Sequence, residues 1–140
     1  MNNIKTFENF NNQDIFTYIE KNDIQSVKNY INSGYDLNIQ NNFGNTALIV
    51  AAKYNNIEIV KLLLNAGADI NRQDNYDGTA LIYAVFNNRI EIVKLLLNAG
   101  ADIDKQDISG YTALISAAFY NRIEIIKLLL DYGADEFILN

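Results

Sequence analysis

The chain has 140 residues, 49% of them hydrophobic, which suits one domain with a buried core and excludes a disordered chain. Its net charge of -6 argues against nonspecific binding to nucleic acid or an anionic membrane surface, since both select clustered Lys and Arg. With no Cys and no His, the sequence has no disulfides, no thiolate chemistry, no His/Cys metal site and no His-based triad.

The first residues, MNNIKTFENFNNQ, have no apolar core of signal-peptide type, and the longest apolar runs fall far short of a membrane span. The expectation is a soluble, cytoplasmic protein. A polar unit follows, over about 7–40, carrying Asn11, Asn12, Gln13, Glu20, Lys21, Gln25, Ser26 and Asn29. Within it Ile24, Val27, Lys28, Ile31, Gly34, Asp36, Leu37 and Asn38 fall in register with later segments, so it reads as the N-terminal cap of an array. Three units follow, over 41–73, 74–106 and 107–140. Gly34, Gly67, Gly100 and Gly133 lie 33 residues apart, as do Thr46, Thr79 and Thr112, each opening the letters TALI. IEIVKLLLNAGADI occurs at 57–70 and again at 90–103, with an altered copy, IEIIKLLLDYGADE, at 123–136. A fixed period of this length marks a repeat array.

Each unit predicts two short helices and a turn. In the second unit the first helix starts at Thr46, whose hydroxyl caps free N–H groups, and ends near Tyr54. Asn55-Asn56 links it to a second helix, with Asn as a further cap. The second helix holds Ile57, Ile59, Val60, Leu62, Leu63 and Leu64. Glu58 and Lys61 are spaced to pair on its outer face, as are Glu91–Lys94 and Glu124–Lys127. Gly67 lies just past the helix, where a left-handed cap needs no Cβ, and 68–75 crosses to the next unit as an extended turn. Helices this short are marginal alone and persist by stacking. Leu48, Leu81 and Leu114 are expected in the core with the LLL triplets. The small Ala51-Ala52, Ala84-Val85 and Ala117-Ala118 let first helices approach closely.

The segment NNFGNTALIVAAKYNNIEIVKLLLNAGADIN, from Asn41 to Asn71, resembles the ankyrin repeat family, whose pattern is roughly DxxGxTPLHxAAxxxxxEIVKLLLxxGADIN. Later copies begin at Asp74 and Asp107, giving three full repeats after a degenerate first one. The resemblance implies an all-α ankyrin-repeat solenoid of helix–turn–helix units with extended turns between repeats. It also implies a noncatalytic protein–protein interaction module. TALI replaces the family's TPLH, exchanging a polar link between repeats for apolar burial. In the third repeat Asp77 takes the usual Gly position and Gly78 follows it, so a locally altered tip is expected. Asn71 matches the turn Asn that an asparaginyl hydroxylase modifies in some hosts; Asn38 matches weakly and Asp104 does not.

Positions that differ between copies are not fixed by stacking. The resemblance places them on a concave face, at the turn tips and the exposed edge of the first helices. They include Phe43, Asn45, Tyr76, Ile108 and Tyr111 at the tips, and Lys53, Tyr54, Phe86, Phe119 and Tyr120 at the helix ends. Tyr and Phe give large contact area at low entropic cost and are common interface anchors. The tip residues Tyr76 and Tyr111 read as partner contacts, and Tyr83 reads as core. For Tyr54 and Phe119, partner contact and packing on the neighbouring tip both stay open. Asp69, Asp74, Asp77, Asp102, Asp104, Asp107 and Asp135 line one edge and favour a partner bearing Lys or Arg. Of these, Asp69, Asp102 and Asp135 belong to the GAD motif and read as turn stabilisers.

DIDKQDISG from Asp102 has Asp107 and Ala113 where a calcium loop needs Gly and Glu. The carboxylates are strung along a solvated edge rather than gathered in a pocket, and no phosphate loop is present. No enzyme activity, metal or cofactor is expected. The end, FILN, leaves three alternatives: Phe137, Ile138 and Leu139 fold back over the last helix pair, that face pairs with another copy, or the array continues. The reading is a protein-binding module that is most simply a monomer. The alternative is a structural module that self-assembles, as a homodimer, through its apolar C-terminal repeat.

Overall fold

Thr46, Thr79 and Thr112 each head a helix. Their Oγ1 atoms accept hydrogen bonds from the N–H groups of Ile49, Ile82 and Ile115 at 3.3, 3.2 and 3.2 Å. These caps satisfy N–H groups that the first turn leaves without a helical partner. In the computed structural model, which describes residues 11–136, they open α3 (Ala47–Lys53), α5 (Ala80–Phe86) and α7 (Ala113–Phe119). Each is followed by a longer helix: α4 (Ile57–Asn65), α6 (Ile90–Asn98) and α8 (Ile123–Asp131). The polar first unit supplies α1 (Asp14–Glu20) and α2 (Ile24–Asn32). Phe137, Ile138 and Leu139 lie outside the described residues.

Both helices of each unit end in the same way. Gly67 stands past α4 at φ +89°, its N–H donates to Leu64 O, and Ala68 N–H reaches back to Leu63 O at 3.0 Å. This pair of bonds ties up two orphan carbonyls. At the ends of the first helices an Asn takes the left-handed position. Asn22, Asn55, Asn88 and Asn121 have φ of 53°, 59°, 57° and 58°. The following N–H groups, of Asp23, Asn56, Arg89 and Arg122, donate to Tyr18, Ala51, Ala84 and Ala117 carbonyls at 2.8 to 3.0 Å. Asn reaches this region more readily than other side-chain-bearing residues. The expected Asn cap on the second helix is not formed: Asn56, Arg89 and Arg122 make no side-chain cap bond. Asn56 instead donates through Nδ2 to Asn22 Oδ1 at 2.8 Å, one repeat earlier. Asp23 does cap α2.

The helices stack in two layers, α1, α3, α5 and α7 in one and α2, α4, α6 and α8 in the other. The first layer packs more closely because Ala51, Ala84 and Ala117, all fully buried, keep its side chains short. Ala118, expected beside them, is exposed. Leu63, Leu96 and Leu129 are buried in the second layer, and Tyr30 fills the equivalent position in the first unit. Tyr30 donates its hydroxyl to Asn12 O and Asp36 O, and burial pushes its pKa up to about 12. Ile49 and Ile82, in place of the family's His, are buried. Of the three outer-face pairs, Glu91–Lys94 closes to 3.5 Å, and such exposed pairs add little stability.

Repeats are also joined along the turns. Asp36, Asp69 and Asp102 accept from the N–H groups of Asn38, Asn71 and Asp104, shaping each turn. The side chains of Asn38, Asn71 and Asp104 then accept from Asp69, Asp102 and Asp135 N–H groups of the next repeat, at 2.8, 2.8 and 3.0 Å. Gln40 and Gln73 each bridge two carbonyls, one in their own tip and one 33 residues on.

Candidate functional site

The three tips, 41–45, 74–78 and 107–111, are built alike. Oδ1 of Asn41, Asp74 and Asp107 each accepts two N–H bonds, from the residues two and four positions on, at 2.9 to 3.0 Å. The altered tip expected at Asp77 is absent. Asp77 holds φ +59° where Gly44 and Gly110 hold +77° and +85°, and Asp74 N–H still reaches Gly78 O at 3.0 Å. Tips are linked by backbone, Asn75 N–H to Phe43 O at 3.1 Å and Ile108 N–H to Tyr76 O at 2.9 Å. Side chains raised on this frame are therefore held at fixed separations.

Phe43, Tyr54, Tyr76, Phe86, Ile108, Phe119 and Tyr120 are exposed, Ile108 at 67% and Tyr76 at 61%. Lys53 and Tyr111 are half-buried. A depression of about 540 Å³ lies over α5 and α7, walled by Tyr76, Tyr83, Phe86, Ile108, Tyr111 and Tyr120, with Ile82, Asp107 and Ser116 also lining it. A second, of about 360 Å³, is lined by Phe43, Asn45, Tyr54 and Asp74 among others. Lys53, Tyr76 and Tyr83 belong to both. Phe119 lines neither. Its ring packs on Tyr111 and Tyr120, with centroids 6.1 and 5.0 Å away, and Tyr120 meets Phe86 edge-on at 4.8 Å. These distances suit attractive aromatic pairs.

Between the two depressions lies a polar network. Asn45 is buried, so it is not a surface contact as expected from its variability. Its amide donates to Asp74 Oδ2 at 2.9 Å and accepts from Lys53 Nζ at 3.2 Å. Asp74 is buried as well and also accepts from the Tyr83 hydroxyl, which removes it from the solvated acidic edge. Lys53 Nζ stands 4.1 Å from the centre of the Tyr83 ring. Burial lowers the Lys53 pKa, with Asp74 opposing. Burial, then the bond to Asp74, raises that of Tyr83. Tyr83, expected in the core, is half-buried and lines both depressions. The missed signal is paired variation across five residues: Asn45 with Val50, Gly78 with Tyr83, Tyr111 with Ser116.

Two arginines, 33 residues apart and unremarked in the sequence, hold the helix ends that carry this face. Arg89 donates to Lys53 O at 3.1 Å and Arg122 to Phe86 O at 2.8 Å. A cation there also meets the negative end of the helix dipole. Each fixes the backbone from which Lys53 or Phe86 projects.

A family model described as ankyrin repeats in three copies matches residues 15–107, and one described as ankyrin repeats in many copies matches 87–130. The chain belongs to the ankyrin repeat family: eight helices and no strand among the described residues, stacked as an all-α solenoid. No curated protein matches it. Ankyrin repeats are generally noncatalytic protein–protein interaction modules. Among the described residues no helix is long and apolar enough to cross a membrane.

Proposed function

We propose that this chain binds a protein partner through the face formed by its tips and first-helix ends. Tyr76, Phe86, Ile108, Tyr111 and Tyr120 are its central anchors. Phe43, Lys53 and Tyr54 extend it across the second depression, and Phe119 buttresses it. The observation that carries the reading is the apolar groove of about 540 Å³, walled by exposed aromatic side chains on a hydrogen-bonded frame. Preordered aromatic surface of this kind loses little entropy on binding. The remaining acidic turn residues favour a partner with Lys or Arg.

The test is affinity capture from lysate of the source organism, comparing wild type with a Y76A/F86A/Y111A variant shown by circular dichroism to fold. A partner held by wild type and lost by the variant is the expected result. A partner held equally by both would overturn the reading.

A further inference from the structure

The repeats provide an internal comparison. At the junction of the second and third repeats, Lys53, Tyr83 and Asp74 fill the space between tip and helix. Tyr83 O–H and the Asn45 amide both donate to Asp74 Oδ2, and the Lys53 ammonium rests on the Tyr83 ring. Thirty-three residues on, the counterparts are Phe86, Ser116 and Asp107, and Gly78 stands where Asn45 stood. The frame is unchanged, since Asp107 Oδ1 accepts from Ser109 and Tyr111 N–H at 2.9 Å each. Both donors to the second carboxylate oxygen are gone, and so is the ammonium. Among the described residues Asp107 Oδ2 has no hydrogen-bond donor. The larger depression opens in this space.

We propose that this groove receives a basic side chain, Arg or Lys, from the partner, with its charged head on Asp107 Oδ2 and its aliphatic stem against Phe86, Tyr111 and Tyr120. The proposal rests on the protein-binding reading and names the chemistry of its central contact. A carboxylate set among aromatic walls favours a charged donor over a neutral one, and ring faces add cation–π attraction. The net charge of -6 draws basic segments toward the chain. Lys53 also lines the groove, but its ammonium is held by Asn45 and the Tyr83 ring beside Asp74.

The test is a ¹⁵N NMR titration of the full chain with N-acetylarginine amide and N-acetyllysine amide, against neutral N-acetylcitrulline amide. Saturable shifts at the Ser109, Tyr111 and Ser116 amides are expected with a basic probe, with at least tenfold weaker response to citrulline. D107N should weaken the response at least tenfold while keeping the tip, because Asn41 shapes the equivalent tip with the same two bonds. A Y111G/S116Y variant, which copies the Gly78–Tyr83 pair and so sets a tyrosine hydroxyl beside Asp107, should abolish it. Equal shifts with citrulline, no saturable shift with either basic probe, or a D107N response equal to wild type would each overturn the proposal. A captured partner that D107N holds at full strength while Y76A/F86A/Y111A loses it would sink this contact and leave the protein-binding reading standing.

Discussion

Gly78 lies against the ring of Tyr83. A methyl group on Gly78 would stand 2.5 Å from Tyr83 Cε2 and 2.8 Å from Cζ, closer than carbon atoms approach. The tip is therefore bare because the helix below it carries a large side chain, and the next repeat reverses the arrangement with Tyr111 above Ser116. Exchanging volume between two positions leaves one depression smaller, about 360 Å³ beside Tyr83, and the other larger, about 540 Å³ over Ser116.

That complementarity predicts a strong coupling. G78A should destabilise the fold by about 1–3 kcal/mol, as overpacking does elsewhere. In a Y83S background, which copies Ser116, the same change should cost under about 0.5 kcal/mol or stabilise slightly, since Gly78 does not need a left-handed backbone. A double-mutant cycle by urea unfolding measures the difference. Equal costs in both backgrounds would show that the ring yields freely.

The ladder along the turns makes a second prediction. Asn71 Oδ1 accepts from Asp102 N–H at 2.8 Å, and Asp104 does the same for Asp135 at 3.0 Å. N71A should cost about 0.5–1.5 kcal/mol, the net worth of one intramolecular hydrogen bond. N71D should cost less, because a carboxylate already serves at Asp104. Amide exchange at Asp102 gives the site-resolved check: protection should fall in N71A and persist in N71D. Unchanged protection in N71A would mean that the bond does not hold the repeats together.

What was legible in the sequence was whatever is local and repeated. The Thr caps, the Gly turns and the buried Ala and Leu positions depend on a few neighbouring residues, and the period displays them again and again. The left-handed Asn at 22, 55, 88 and 121 was equally local and equally periodic, yet it hid inside a chain rich in Asn. The site was harder to read because its residues meet across repeats. Asn45 varies between copies as a surface residue would, but it changes together with Lys53, and both Lys53 and the constant Asp74 reach it from other segments. Tyr83 follows core spacing along its helix, and only its fit to Gly78 shows that it lines the face. The arginine clasp spans 36 residues, from Arg89 to Lys53, so no local pattern contains it.

The acid limb of stability supplies the last prediction. Asp23 accepts from the Ser26 hydroxyl at 2.7 Å and from the Ser26 N–H at 3.1 Å, capping α2. The hydroxyl bond first, and the N–H bond second, hold its pKa below the ordinary value of 3.8. A carboxyl whose folded pKa is depressed contributes stability above its unfolded pKa and loses it as pH falls through the folded value. D23N keeps an acceptor at the cap but carries no charge to titrate. The stability of wild type over D23N should therefore be positive at neutral pH and shrink as pH falls below the ordinary value of 3.8 and through the lower folded one. Other carboxylates contribute alike to both proteins and cancel in the difference. Urea unfolding across this range measures it, and a difference independent of pH would show that the cap acts through its hydrogen bonds with no contribution from charge.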